Sequence, residues 1–422
     1  MRIKALFSLA VLGYAGLALA QATPAQNVVV EEKKSETVTV VVKETPKPPA
    51  FVFELHGFVS TTGYFQDANF AINPGQNALW INNTYTADKP IFGFDIRQTR
   101  LNFSVTGPKV MGGAVPKAVA EFDLFGSSEI PTGGGTFGDV SLLPRIRVAY
   151  VELNWDSGRH ILQIGQQNML TIGTIPQSLS HIAFPATYTA GTVGWRQPGL
   201  WGWHTFGSDL KFELAWSVQR SAWINTVAPN FGNVGLGVAS GLPAFEARGK
   251  LMFGPMFNVW LSGHWQTVDR NGAGVVATTN PDSNIQTILG TVGVSGNLGP
   301  LAYSGSAWYG KNTGPLLGNV LQFAPLTYNG NIFGYGLWGQ VGMNVTKNIS
   351  GWFTYGLDHP QYADIIASGN TRLRNQNLVV MARYMDGGFA LGAEWLYSRT
   401  TTTTSVDTLT GNQISITGNY FF

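Results

Sequence analysis

Cysteine is absent from all 422 residues, and only 12% of the chain is charged. Without a thiol there is no disulfide scaffold, thiolate metal site, iron-sulfur cluster or lipoprotein acylation. Soluble domains carry about 25% charged residues, so half that fraction points away from an ordinary soluble enzyme. Long apolar runs are missing too. Outside the N-terminus nothing approaches the ~20 residues of a transmembrane helix, which excludes a helical membrane protein. A net charge of +2 leaves no basic face for nucleic acid, so no nucleic-acid partner is expected. What the chain does have is 52 glycines, 12% aromatic residues and a 44% hydrophobic fraction. Its apolar surface is spread along the length instead of being concentrated.

The N-terminus reads as a bacterial secretory signal. Arg2 and Lys4 precede an apolar stretch over residues 5–17, and Ala18-Leu19-Ala20 supplies the small-residue pattern cleaved before Gln21. A single membrane anchor is the alternative, disfavoured by the short run. Residues 21–50 form a spacer in which Glu31, Glu32, Lys33, Lys34, Glu36, Lys43 and Glu44 interrupt two valine runs, and Pro46, Pro48 and Pro49 close it. Within it, Glu36-Thr37-Val38-Thr39-Val40 resembles the TonB box of energised outer-membrane receptors. Those receptors place a plug between box and barrel, and the strand pattern here begins at Phe53 with no room for one. The spacer is therefore read as a passive periplasmic extension available for contacts there.

From Phe53 onward the hydrophobic period is two. In Leu210–Gln219, Leu210, Phe212, Leu214, Trp216 and Val218 alternate with Lys211, Glu213, Ala215, Ser217 and Gln219. Alternation fits any half-buried antiparallel sheet, so the connections must decide between a sandwich and a membrane barrel. Tight turns are expected at Asp156-Ser157-Gly158-Arg159, Gly207-Ser208-Asp209, Gly254-Pro255, Gly299-Pro300, Thr346-Lys347-Asn348 and Asp386-Gly387-Gly388, with a longer one over 107–116. Between them lie long polar stretches at 66–91, 126–142, 169–191, 221–243, 268–284, 311–330, 360–373 and 401–411. Short turns on one side and long loops on the other mark an outer-membrane barrel. Seven turns and eight loops join sixteen strands. These begin near Glu54, Phe92, Lys117, Leu143, His160, Thr192, Leu210, Ala244, Met256, Ile285, Leu301, Asn331, Ile349, Arg374, Phe389 and Asn412. The expected fold is thus an all-β, transmembrane antiparallel barrel over residues 51–422. In the last strand Ile414, Ile416, Tyr420 and Phe422 share a face and the chain stops at an aromatic residue. Tyr420 and Phe422 resemble the C-terminal signal by which bacterial barrels are recognised for insertion.

Three segments carry a resemblance to a known family: Gly93-Phe94-Asp95-Ile96-Arg97-Gln98-Thr99-Arg100-Leu101-Asn102-Phe103, Glu121-Phe122-Asp123-Leu124-Phe125-Gly126, and Arg145-Ile146-Arg147-Val148-Ala149-Tyr150-Val151-Glu152-Leu153. With Gly165-Gln166 and Arg196-Gln197-Pro198, they resemble the DcaP-like porins, most closely over residues 92–200. The resemblance implies a sixteen-stranded homotrimeric channel that admits small anionic solutes such as dicarboxylates. It implies a constriction near Arg97, Arg100, Glu121, Asp123, Arg145, Arg147, Glu152 and Gln166. It also implies that the connection 169–191, with Thr171, Pro176, Ser178, Ser180, His181 and Tyr188, folds into the lumen. An external loop is the alternative.

Phase supports part of this site independently. Arg100 shares a face with Asn102, opposite Leu101, Phe103 and Val105, and Glu121 and Asp123 share a face opposite Ala120, Phe122 and Leu124. Arg97, Arg145 and Arg147 fall out of phase with the outward residues of their strands. Either a bulge turns them inward or they lie beyond the hydrocarbon band, because lipid-facing arginine costs about 2 to 4 kcal/mol. Of 26 basic residues six precede residue 51, and of 24 acidic residues four do, leaving 20 of each in the barrel. Selectivity must then come from position and not from bulk charge. The same residues could equally be ion pairs that stiffen the wall.

Other chemistry finds little support. Gly334-Tyr335-Gly336-Leu337-Trp338-Gly339 and Gly133-Gly134-Gly135-Thr136-Phe137-Gly138 match a dinucleotide-binding spacing, but neither precedes a helix. The histidines at 56, 160, 181, 204, 264 and 359 show no close sequence pairing and are expected on the wall, facing water. No cofactor and no metal is expected. The reading is a passive outer-membrane porin whose partners are outer-membrane lipid, lipopolysaccharide and small hydrophilic solutes. A phospholipase-like barrel enzyme with a Ser-His pair assembled from distant strands, and a structural tether gripping the cell wall through residues 21–50, are the rivals.

Overall fold

The computed structural model describes residues 50–72, 75–82, 90–126, 143–221, 236–270, 284–325, 327–403 and 408–422. The expected signal peptide, the spacer up to residue 49 with its box-like pattern, and the glycine motif at 133–138 lie outside the described residues.

Alternation drives the chain into extended strands that bond only to their neighbours. They are β1 (Val52–Gln66), β2 (Ile91–Asp95 continued by Arg100–Thr106), β3 (Val115–Gly126), β4 (Leu143–Trp155), β5 (His160–Asn168), β6 (Arg196–Phe206), β7 (Leu210–Gln219) and β8 (Ala244–Phe253). There follow β9 (Phe257–Asp269), β10 (Asn284–Leu298), β11 (Leu301–Lys311), β12 (Phe333–Asn344), β13 (Ile349–Pro360), β14 (Arg372–Asp386), β15 (Phe389–Thr402) and β16 (Leu409–Phe421). Each pairs antiparallel with its sequence neighbours, and β1 also pairs with β16, so the sheet closes. Gly57 and Phe422 seal the seam by exchanging two backbone hydrogen bonds of 3.0 Å. Closure removes every free edge, the condition for crossing lipid with strands. Both halves of β2 pair with β1, so they count as one broken strand and the barrel has sixteen.

The two faces have opposite chemistry. On β16, Ile414, Ile416 and Tyr420 are more than half exposed, while Gln413, Ser415, Thr417 and Asn419 are buried on the inner face. The same inversion holds on β10, with Ile288 and Val292 outside and Thr287 and Thr291 inside. An apolar outer belt with a polar interior is the pattern of a barrel dissolved in lipid. Tyr420 and Phe422 both lie on the exposed face.

Short and long connections alternate around the barrel. At the tight β6–β7 turn Gly207 takes φ +86°, and a Cβ there would meet the Leu210 carbonyl at 2.1 Å, so only glycine fits. Among the long connections, residues 67–90 include a short hairpin (Phe70–Ile72 with Ala78–Ile81), and residues 361–371 include a helical turn (Tyr362–Ala367). Strand boundaries fall within a few residues of the sequence expectation, with one informative shift. The sixth strand starts at Arg196 and not near Thr192, because Thr192 belongs to a closed turn in which its N–H donates to the Thr187 carbonyl at 2.8 Å and the two hydroxyls meet at 2.6 Å.

Candidate functional site

On the inner wall of β2, β3 and β4, arginines and carboxylates interleave. Pairing sets Arg100 opposite Asp123 and Asn102 opposite Glu121. On β4 the register steps from Val148, opposite Glu121, to Ile146, opposite Phe122, leaving Arg147 unmatched. This bulge resets the phase and turns both Arg147 and Arg145 toward the carboxylates of β3, while Ile146 stays outside. Arg145 grips Asp123 through two bonds of 2.6 and 3.0 Å, and Arg147 bridges Glu121 at 2.7 Å and Asp123 at 2.8 Å. The Arg100 Nε lies 3.7 Å from Glu121. Arg97 sits in the break of β2, where its backbone N–H and Nε both reach Asp95 at 2.9 Å. The side chain of Arg145 stands over Phe125, Phe184 and Trp195 at 5.1 to 5.8 Å, and Arg97 covers Phe125 at 5.0 Å, within reach of cation-π attraction.

The segment between β5 and β6, residues 169–195, lies inside the barrel and is tied to strands around most of its circumference. Its start is held at β8, where Glu246 accepts the N–H of Leu170 at 2.6 Å and of Thr171 at 3.4 Å. Gly173 lies flat on Trp260 of β9, where a Cβ would come within 2.0 Å of the ring. Past Pro176, which is buried, the Gln340 amide of β12 exchanges two 2.8 Å hydrogen bonds with the Gln177 backbone. Ser178 donates to Glu394 of β15 at 2.6 Å, His181 pairs with the same carboxylate, and Ser180 meets Thr417 of β16 at 3.0 Å. Gln98 then receives the Ile182 N–H at 3.1 Å. On the return, Asn375 of β14 donates to the Thr189 carbonyl at 3.1 Å. The strap runs along β8 to β16 and ends beside the arginines. It contains no Asp, Glu, Lys or Arg.

Tyr188, on the strap, is buried with Ala183 and Phe184 against Leu79 and Trp80 of the first long connection and Leu317 and Val320 of the sixth. Burial pushes the Tyr188 hydroxyl above its ordinary range. Three connections thus share one apolar core within the barrel mouth. Beneath them the inner-face side chains of Thr62, Gln66, Thr287, Gln340, Asn375 and Thr417 are almost wholly covered.

Other sequence candidates sit differently from expectation. Glu152 accepts Gln163 Nε2 at 2.7 Å and makes no ion pair with an arginine of the ladder. Gln166 donates to the carbonyls of Ile146 and Arg147 at 3.2 and 2.9 Å, so its amide braces the bulge instead of joining the charges. The histidines require two corrections. His160 and His204 do pair, Nδ1 to Nδ1 at 3.1 Å, because register sets them directly opposite. His181 and His264 do not face water: both are buried, against Glu394 and Glu246. Sequence spacing cannot show partners that lie on distant strands. Among the described residues no group of three or more His, Cys, Asp or Glu could hold a metal ion.

No family model matches the chain, and no curated protein matches it. Solved structures do. The outer-membrane channel DcaP of Acinetobacter baumannii superposes with a TM-score of 0.66 at 15% identity, covering 89% of this chain and 99% of that one. An anion-selective porin from Comamonas acidovorans gives 0.55 at 13%, covering 88% and 100%, and OmpF of Salmonella typhi 0.54 at 11%, covering 88% and 97%. The chain has the porin fold. At these identities the likeness establishes the porin barrel alone and assigns no solute.

Within this porin barrel one further cation stands by the ladder. Arg196, at the start of β6, is only 6% exposed, stacks on Trp195 at 4.2 Å, and feels the charges of Arg147, Arg145 and Asp123. Counting it, five arginines (97, 100, 145, 147 and 196) face three carboxylates (95, 121 and 123), a surplus of two. The Arg196-Gln197-Pro198 motif was visible in the sequence, but its nearness to β4 was not.

Proposed function

We propose that the chain is a passive diffusion channel of the outer membrane, acting as a homotrimer and favouring small hydrophilic anions. The observation that carries this reading is the surplus of cations on one wall facing a strap without charge. In such an asymmetric passage a permeant anion meets guanidinium groups with no opposing carboxylate row. The strap 169–195 acts as the constriction loop, with Arg97 and Arg145 as the ladder residues nearest solvent. Arg100, Arg147, Glu121 and Asp123 set their geometry. That one of the superposable structures is an anion-selective porin supports the reading, as does the agreement of the DcaP superposition with the family resembled in sequence.

No reaction is assigned to the chain. The carboxylate partners of His181 and His264 are sealed in the interior, with the serine hydroxyls nearby donating to the carboxylates and not to an imidazole. That is unlike the geometry of a Ser-His nucleophile. The test is planar-bilayer recording under a salt gradient. A reversal potential of the sign set by anion flow is expected, with closures in groups of three. Cation preference would overturn the anion reading, and hydrolysis of phospholipid by the pure protein would favour the enzyme.

A further inference from the structure

A charge on the lipid-facing side of a strand is costly at mid-membrane and nearly free at the interface, where a headgroup can pair with it. Strands β12 to β16 carry four arginines and three carboxylates. Asp358 and Glu394 are buried on the inner face, and Asp386 ends β14 at its short turn. Arg372 and Arg383 also point inward, over Trp80 and Trp352. Arg374 and Arg399 do not. The register shifts between Arg372, opposite Thr402, and Arg374, opposite Thr401, and this bulge sends two neighbouring arginines of one strand to opposite faces. Arg372 goes in, where the carbonyls of Val320 and Leu321 accept from it at 3.0 and 3.3 Å. Arg374 goes out, its Nε without a hydrogen-bond partner. Arg399 stands opposite Gln376 on the same outer face, one diagonal step from Arg374, a spacing of about 7 Å between Cβ atoms. Its guanidinium donates to the Thr408 hydroxyl at 3.4 Å. Among the described residues neither arginine makes an ion pair. The wall around and beneath them is graded. His359 is stacked between Tyr335 and Tyr362 at 5.0 Å on each side, close enough to feel the charge of Arg374, and Trp395 lies beside Tyr397 at 6.3 Å. Farther from the long connections, Phe353, Val380 and Leu391 are exposed.

We propose that Arg374 and Arg399 form a binding site for the phosphorylated headgroup of an outer-leaflet lipid, whose acyl chains lie along Phe353, Val380 and Leu391. Two guanidinium groups one diagonal step apart can share the oxygens of a single phosphate, each offering a planar pair of donors. The order of arginine, aromatic and apolar side chains down the wall matches the order of headgroup, interface and chain in a lipid. A soluble anion would use the arginines and gain nothing from the wall beneath, so the occupant that fits is an amphiphile. The site lies outside the barrel and stands whatever solute the lumen passes. It rests on the outer-membrane reading only in that the long connections face the outer leaflet.

The experiment titrates the folded protein in neutral detergent with lipid A, with diacylglycerol and with inorganic phosphate, and follows bound molecules by native mass spectrometry. Wild type should bind lipid A saturably, and the double variant Arg374→Gln with Arg399→Gln should bind it about tenfold more weakly. Lysine at both positions should recover part of the affinity. Diacylglycerol, which has the chains without the phosphate, should bind wild type and the glutamine variant alike, and inorganic phosphate should compete poorly with lipid A. The single variants Arg374→Gln and Arg399→Gln, each expected to lose part of the affinity, carry the same comparison if the double variant fails to fold. Equal binding of lipid A by wild type and the glutamine variant overturns the site. Inorganic phosphate binding as tightly as lipid A would make it a free-anion site, and a smaller assembled size for the glutamine variant would make this face a subunit contact; either result overturns the lipid reading. Bilayer recordings of the same samples keep the two claims apart: conductance and reversal potential should not differ between wild type and the variants. Cation preference shared by all of them would sink the anion-channel reading and leave the lipid site standing.

Discussion

Arg147→Gln and Arg145→Gln remove the same charge from adjacent inward positions of β4, and the structure gives them opposite consequences. Arg147 is 9% exposed and bridges both Glu121 and Asp123, so its loss leaves two buried carboxylates short of a partner. Breaking a buried pair from one side costs about 3 to 5 kcal/mol. The lower end applies here, because Asp123 keeps Arg145 and Glu121 keeps Arg100 nearby. With a urea slope of about 1 to 3 kcal/mol per molar, the unfolding midpoint should fall by roughly 1 M or more. Arg147→Gln combined with Glu121→Gln should regain much of that, since one orphaned charge is then gone. Arg145 is 22% exposed, and without it Asp123 still holds Arg147. Its loss should cost little stability but lower the anion-to-cation permeability ratio. A unit charge 4 Å from a permeant ion is worth about 1 kcal/mol in bulk water and more in a narrow passage, which is roughly fivefold. The effect should shrink in strong salt, where the Debye length falls to about 3 Å at 1 M. The assays are urea unfolding of the detergent-folded trimer and reversal potentials at low and high salt. Equal stability losses for the two variants, with neither shifting the reversal potential, would show that the whole ladder is a strut.

Three further outcomes follow from the same geometry. Glu394→Ala removes the acceptor shared by Ser178 and His181 and leaves donors unsatisfied at about 1 to 3 kcal/mol each; the strap should loosen, seen as larger and noisier single-channel currents, and an unchanged trace would mean that the other ties suffice. Deleting residues 21–50 should leave conductance intact, and a loss of uptake in cells that depends on the inner-membrane energy source would revive the receptor reading of Glu36 to Val40. Folded protein should give a predominantly β circular-dichroism spectrum and migrate anomalously unless heated, a helix-rich spectrum being incompatible with the sixteen strands described.

Period-two alternation and the order of short and long connections were enough to count sixteen strands and to say which face of each meets lipid. These are local properties. A side chain's face follows from its parity along one strand, and a turn needs only its own glycine or proline. Even the misfit of Arg145 and Arg147 was legible as a parity conflict, and the bulge that leaves Arg147 unmatched resolves it in the cheaper direction. What parity could not supply were contacts between segments hundreds of residues apart. Glu246 and Glu394 stand on β8 and β15, yet they hold the start and the middle of one strap. His160 and His204 are 44 residues apart in sequence and meet because closure fixes the register of β5 on β6. The filling of the mouth by Trp80, Tyr188 and Leu317 depends on three connections folding inward together, since none of them could bury its apolar side chains alone. Composition and periodicity determined the barrel because a bilayer imposes the same rule on every strand. The strap, the apolar core of the mouth and the placing of Arg196 beside the ladder belong to the interior, where what a residue faces is set by the whole closed sheet.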